Sequence, residues 1–291
     1  MQGRTISNRA GLEYEDPGFR APGRSILDIL FTLPASRRES LLFGVSPTCL
    51  PLQKALRWAL GGSFVVKARF TDGPLANHAF ECWSSEKYFM LGSRFEKEVQ
   101  ALLSTLVSYG DIVYDVGSHI GYMAMVFSAL VGEQGAVFSF EPSPRNFNRL
   151  KRNFELNPSS NVTVTQAAVS DVEGTAWLQE DSSQSAILSG TTVSDQDKSS
   201  VRTLRLDDFV FRDGHPTPTF LKIDIEGHAG HCLKGMQRIL KEKRPHMILE
   251  IHHAAEAEEV SSLLGAYGYI SSSIDLPDQF PRRIVAKPKA T

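Results

Sequence analysis

"DIVYDVGSHIGYMAMVFSALVG", residues 111–132, runs from an apolar strand through a glycine turn into an apolar helix. A strand, a glycine turn and a helix in that order open a βαβ unit, the building block of a parallel sheet covered by helices. The rest of the chain is therefore read for further units of the same kind.

They follow. Strand patterns recur at "AVFSFE" (136–141), "NVTVTQAAV" (161–169), "TFLKIDIE" (219–226) and "HMILEIH" (246–252), with helical patterns at Tyr122–Leu130, Pro144–Leu156, Gly230–Lys241 and Ala254–Tyr267. Short apolar strands alternating with amphipathic helices predict an α/β fold with a mostly parallel sheet and helices on both faces. The stretch "TAWLQEDSSQSAILSGTTVSDQDKSS" (175–200) breaks the rhythm with Ser, Thr and Asp, as either a flexible insertion or a lid over a site. Upstream, residues 1–25 carry Gly, Arg and Pro without periodicity and read as a loosely held tail. Residues 26–110 mix helical stretches around Leu27–Leu42 and Gln53–Leu60 with strand-like "SFVVKARF" and "HAFECW", then a helix in "EKEVQALLSTLVSYG". The expected organisation is a tail and mixed α/β extension over 1–93 and the main domain over 94–291.

The 291 residues are 42% hydrophobic and 22% charged with a net charge of -2, the profile of a globular protein rather than a disordered or membrane one. Basic residues form no dense run; Arg145, Arg149, Lys151 and Arg152 fit one solvated helix face, so no nucleic-acid partner is expected. No apolar run approaches a membrane span, and the polar start through Arg24 lacks a signal-peptide core. Three well-separated cysteines, Cys49, Cys82 and Cys232, suit reduced thiols, and a cytoplasmic location is expected.

In "DVGSHIG" the acid Asp115 ends the strand, and Gly117 and Gly121 stand where a Cβ would collide with a ligand or the following helix. Ser118 and His119 lie between them. The dinucleotide fingerprint needs a middle glycine where His119 stands, which argues against a pyrophosphate and hence against a nicotinamide-dependent oxidoreductase. A cofactor without phosphates, bearing an amino-acid group and a positive centre, suits an acidic turn better. The next strand ends at Glu141–Pro142, and an acid at that tip can accept both ribose hydroxyls of a nucleoside. Its plainer role is to cap the helix starting at Pro144, with Ser143 as N-cap.

With these motifs in order, "YGDIVYDVGSHIGYMA…GAVFSFEPSPRNFNRLKRNFELN…VTQAAVSD…LKIDIEGHAGHCLKGM…PHMILEIH" resembles the FkbM-type S-adenosylmethionine-dependent methyltransferases over roughly residues 94–270. The resemblance implies a class I methyltransferase (Rossmann-like) fold, a seven-stranded sheet with an antiparallel strand pair at its edge. It also implies O-methylation of a hydroxyl on a sugar or natural-product small molecule, with S-adenosyl-L-methionine as cofactor. Mapped onto this chain, Asp115, Gly117 and Gly121 line the cofactor's methionine half, Glu141 holds the ribose, Ala168 lies at the adenine, and Glu96 faces the ammonium group or is an exposed helix residue. Two departures stand out: the family commonly has Ala-Asn at Ser118-His119, and a second glutamate where this chain has His228-Ala229.

Methyl transfer from a sulfonium is an in-line displacement, so positioning in a dry pocket supplies most of the acceleration, and a base is needed only for the hydroxyl proton. That pocket is expected beyond the C-terminal strand ends, where "LKIDIEGH" and "LEIHH" deliver Lys222, Asp224, Glu226, His228, His252 and His253. Strand alternation would put Lys222, Asp224 and Glu226 on one side. Asp224 is the expected contact to acceptor or cofactor, His252 the expected general base, and Lys222 the charge that lowers the pKa of Asp224. Six of the eight histidines follow residue 214, and His228 and His231 could join Asp224, Glu226 and His252 around a divalent cation. The plainer placement of that pair is on the solvent side of a helix, and no metal site is assigned. The different-class alternative is a cofactor-binding scaffold that has lost its chemistry.

Overall fold

The computed structural model describes residues 5–7, 13–15, 65–70, 73–83, 95–157, 161–180, 185–188, 198–276 and 279–290. The chain groups into two compact units, Met1–Ala101 with Arg152–Pro158, and Leu102–Lys151 with Ser159–Thr291. The helical stretches expected at 27–42 and 53–60, and Cys49, lie outside the described residues.

The first unit holds an antiparallel sheet of four strands in sequence order, β1 (Thr5–Ser7), β2 (Glu13–Glu15), β3 (Val65–Arg69) and β4 (Ala79–Trp83). "SFVVKARF" and "HAFECW" thus pair as a hairpin. The free edge of β4 is closed by two asparagines one helical turn apart. Asn157 accepts from Ala79 N at 2.7 Å and donates to Ala79 O at 2.6 Å, and Asn153 does the same with Glu81 at 2.7 and 3.1 Å. Side-chain amides here satisfy the edge backbone as another strand would.

Helix α1 (Lys97–Leu106) precedes the strands of the second unit. There β5 (Ile112–Val116), α2 (Tyr122–Val131), β6 (Ala136–Phe140), α3 (Pro144–Glu155) and β7 (Val162–Thr165) follow in βαβαβ order. Next come β8 (Ala168–Val169), β9 (Gly174–Glu180), β10 (Ser185–Leu188) and β11 (Lys198–Leu204), a separate sheet in the order β10-β9-β11-β8. The chain continues through α4 (Leu206–Phe211), β12 (Phe220–Ile223), α5 (Ala229–Lys234), a π-helical turn (Ile239–Lys243), β13 (His246–Ile251), α6 (Ala254–Ala266), β14 (Tyr269–Ser273) and β15 (Arg282–Pro288). The large sheet runs β14-β15-β13-β12-β5-β6-β7, and β15 alone is antiparallel, slotted between β13 and β14. This seven-stranded order is the class I fold implied by the motifs.

Its central strands are apolar on both faces because helices cover both, and Val113, Val116, Leu221, Ile223, Met247 and Leu249 are all fully buried. Tyr114 joins them and sends its hydroxyl to Pro216 O at 2.6 Å.

Three elements are shorter than their sequence patterns. "NVTVTQAAV" divides between the sheets, since the chain turns at Ala167, whose N–H bonds Thr165 O at 3.1 Å. The helix expected through Lys241 stops at Lys234. Gly235 passes so close to Ser170 that a Cβ there would lie 2.0 Å from its carbonyl oxygen. "TFLKIDIE" leaves the strand after Ile223 because Glu226 and Gly227 take left-handed φ of 48° and 83°. The Ser-rich segment is in part strand: β9 pairs antiparallel with both β10 and β11 across it.

Candidate functional site

The parallel strands β5, β6, β12 and β13 end at one edge, and the loops that leave them build the site. The turn after β5 is pinned to β6, with Gly117 N and Ser118 N both donating to Phe140 O at 3.0 and 3.1 Å. Every second residue of it is left-handed: Gly117 at φ 82°, His119 at 50° and Gly121 at 90°. A Cβ on Gly117 would fall 1.8 Å from the carbonyl oxygen of Asp224, so the close approach is to the β12 loop rather than to a ligand or helix. Gly121 is the N-cap of α2, a position whose conformation suits glycine. His119 carries the strain that Asn bears most easily, and His tolerates it better than most side chains. Ser118 steadies the turn by donating from Oγ to Asp115 O at 2.7 Å.

Glu141 is 4% exposed, with Oε2 accepting from His119 N at 2.8 Å and Oε1 from Ser143 N at 2.9 Å. The carboxylate ties the glycine turn to the start of α3, while Ser143 Oγ takes the capping bond from Asn146 N at 3.3 Å. Burial pushes the Glu141 carboxyl up to about 7, against the lowering pull of those two N–H groups and Lys222. Pro142 lies between Glu141 and Ser143 as the chain enters α3.

Beneath the turn is a charge cluster. Asp115 is 0% exposed, and neither of its carboxylate oxygens has a hydrogen-bond partner among the described residues. Burial raises its pKa, and the ammonium of Lys222, 3.5 Å from Oδ1, opposes the rise. Asp115 thus offers no surface to a ligand, and its visible role is counter-charge to Lys222. Lys222 Nζ also donates to Gly117 O at 2.9 Å and pairs with Asp224 Oδ2 at 3.1 Å. Burial would depress the Lys222 ammonium, but Asp224 and Asp115 outweigh it and hold the group above its ordinary value. Asp224 is 32% exposed, and Lys222 and His252 overcome its burial to keep its carboxyl well below the usual range.

The imidazole of His252 lies between two acids, Nδ1 3.3 Å from Glu226 Oε2 and Nε2 3.6 Å from Asp224 Oδ1. Asp224 and Glu226 reach it from a loop rather than by strand alternation. Glu256, 2% exposed, accepts His252 N at 2.7 Å and Ala229 N at 3.0 Å, fastening the end of β13 to the start of α5. His253 caps α6, its Nδ1 accepting Glu256 N at 3.2 Å. His228 and His231 stack on each other with ring centres 4.3 Å apart, bound to Ser170 Oγ and Asp171 Oδ1 at 3.1 and 3.0 Å. Burial lowers the His228 pKa to about 4. Among the described residues the one trio whose donor atoms could share a cation is Asp224, Glu250 and His252, within 4.8 Å of one another. His228 and His231 are not part of it.

Ala168, in β8, is buried and adjoins Val169 and Ser170. Glu96 belongs to the first compact unit, left-handed at φ 45° just before α1. Two contributors escaped the sequence reading, Glu256 and Glu250. Glu256 had a signal: an acid three residues after the N-cap His253, the spacing of a capping box.

A mostly parallel sheet in this order, with a glycine turn after β5 and an acid at the tip of β6, is the class I methyltransferase fold. The chain belongs to the FkbM methyltransferase family: the family described as "Methyltransferase FkbM domain" matches residues 115–271. A curated relative, the hexuronic acid methyltransferase AglP of Haloferax volcanii, is 32% identical over 173 residues, 59% of this chain and 68% of that one. Among solved structures, the methyltransferase FkbM from Methylobacillus flagellatus KT is 17% identical with a TM-score of 0.45, over 70% of this chain and 54% of that one. A precorrin-6y C5,15-methyltransferase from Geobacter metallireducens GS-15 is 15% identical with a TM-score of 0.45, over 66% and 88%. No helix among the described residues is long and apolar enough to cross a membrane.

Proposed function

We propose that this methyltransferase uses S-adenosyl-L-methionine to methylate a hydroxyl of a sugar-like small molecule. The observation that carries the reading is Glu141: its carboxylate is anchored by N–H groups of both the glycine turn and the α3 entry. Each oxygen accepts one N–H and keeps acceptor capacity, which fits the two hydroxyls of a ribose. Glu141, the Gly117–Gly121 turn and the edge at Ala168 would hold the nucleoside and methionine parts, and the bound cofactor would supply an electrophilic methyl group.

The acceptor end is the Asp224–His252 side. Asp224, Glu226 and Glu250 outnumber Lys222 and His252 there, so the local field disfavours an anionic acceptor atom and favours a neutral hydroxyl. Asp224 is partly exposed and can accept a hydroxyl proton. His252 Nε2, without a hydrogen-bond partner among the described residues, lies 3.6 Å from Asp224 Oδ1. Similarity to a hexuronic acid methyltransferase supports a sugar as the acceptor class.

The test is calorimetric titration with S-adenosylhomocysteine and, separately, NAD, each repeated on Glu141→Ala. Binding of the first ligand alone, lost in the variant, followed by methyl transfer to a hexose or hexuronic acid hydroxyl, is the expected result. Affinity unchanged in Glu141→Ala, or binding of NAD alone, would sink the cofactor assignment. Binding without transfer to any hydroxyl acceptor would point to the scaffold alternative.

A further inference from the structure

Glu226 has a left-handed backbone at φ 48°, followed by Gly227 at 83°. Such a conformation is unfavourable for a non-glycine residue and persists only where surroundings enforce it. What it achieves is visible. The chain doubles back after β12, and the Glu226 carboxylate reaches His252 Nδ1 at 3.3 Å from the side opposite Asp224. Glu256 locks both ends of this arrangement through His252 N and Ala229 N.

Resting on the O-methylation reading, we propose that Asp224, His252 and Glu226 form a proton-exit relay in which Glu226 is the positioning residue that orients His252 and passes its proton to water. As the acceptor's O–CH3 bond forms and the methyl group's bond to sulfur breaks, the hydroxyl proton moves to Asp224 Oδ1. From there it passes to His252 Nε2 while the Nδ1 proton crosses to Glu226 Oε2. Glu226, 28% exposed, then releases a proton to solvent. No oxidant or further reactant is needed.

The electrostatics run in the same direction. Lys222 keeps Asp224 strongly acidic despite its burial, so it holds a proton only briefly. His252, though partly buried, is raised by Asp224 and Glu226, and burial raises Glu226 itself. The charged groups facing His252 are Asp224 and Glu226 from the β12 loop and Glu250 on its own strand. Glu256 on α6 takes its backbone N–H, and Lys222 stands behind Asp224.

The experiment compares wild type, Glu226→Gln and Glu226→Asp. In 15N-labelled protein, the His252 ring is expected to titrate about one pH unit lower in E226Q, because a carboxylate that favours its imidazolium is gone. Turnover should fall roughly 10–100-fold, with the acid limb of the pH profile moved and a larger solvent deuterium effect. Affinity for S-adenosylhomocysteine should stay within about twofold, and E226D should restore most of the turnover. An unmoved His252 titration overturns the relay whether or not an acceptor has been found. Wild-type turnover and pH profile in E226Q overturn it as well. A moved titration in a protein that binds S-adenosylhomocysteine but methylates no hydroxyl supports the Glu226–His252 coupling and overturns the O-methylation reading instead.

Discussion

Burial pushes the Glu141 carboxyl up to about 7 from its ordinary 4.5. Ribose hydroxyls donate, so they bind the ionised carboxylate better than the neutral acid. Ligand binding should therefore release a proton, and affinity for S-adenosylhomocysteine should climb between pH 6 and 8, by up to about tenfold per unit below the pKa, and then level off. Calorimetry in buffers of different ionisation enthalpy measures the release directly; an affinity flat across that range would remove Glu141 from the ribose. At this scale the sequence was most informative about charge, since Glu141, Lys222, Asp224 and His252 all sit at the strand tips where the pattern put them. It was blind to burial. Asp115 is sealed under Lys222, and nothing in "DVG" distinguishes a carboxylate that meets a ligand from one that meets a lysine.

Elements are held in place here by glycines for reasons that differ from one position to the next. Gly117→Ala must accommodate both φ 82° and a Cβ 1.8 Å from a backbone oxygen that cannot step aside. A loss of at least about 2 kcal/mol is expected, with cofactor affinity lost alongside. Gly265, near the end of α6, has nothing within 4 Å of the place an added methyl group would take and no left-handed φ, so Gly265→Ala should gain about 0.5–1 kcal/mol. Urea denaturation of both variants checks the contrast; equal effects would refute it. Strand and helix identities were legible because apolar runs and 3.6-residue periodicity are local. Where elements stop was not: the end of α5 is set by Gly235 meeting Ser170, a contact between residues far apart in sequence.

Across the whole molecule, net charge is -2 and the site's own balance is met largely by Lys222. A dication held by Asp224, Glu250 and His252 would have to share Asp224 with that ammonium. Methyl transfer by the full chain is therefore expected to survive dialysis against EDTA. A loss beyond tenfold, restored by Mn2+, would assign a cation to that trio. The strand order of the large sheet also bears on how the protein is made. Among the described residues β14 has no sheet partner except β15, which inserts between it and β13. During synthesis the strands that carry the site, β5, β6, β12 and β13, can pair as they leave the ribosome, while β14 must wait as an unpaired edge until residues 282–288 emerge. The nascent chain thus completes its catalytic edge first and closes its aggregation-prone flank last, which makes that short interval the point where a chaperone would be most useful.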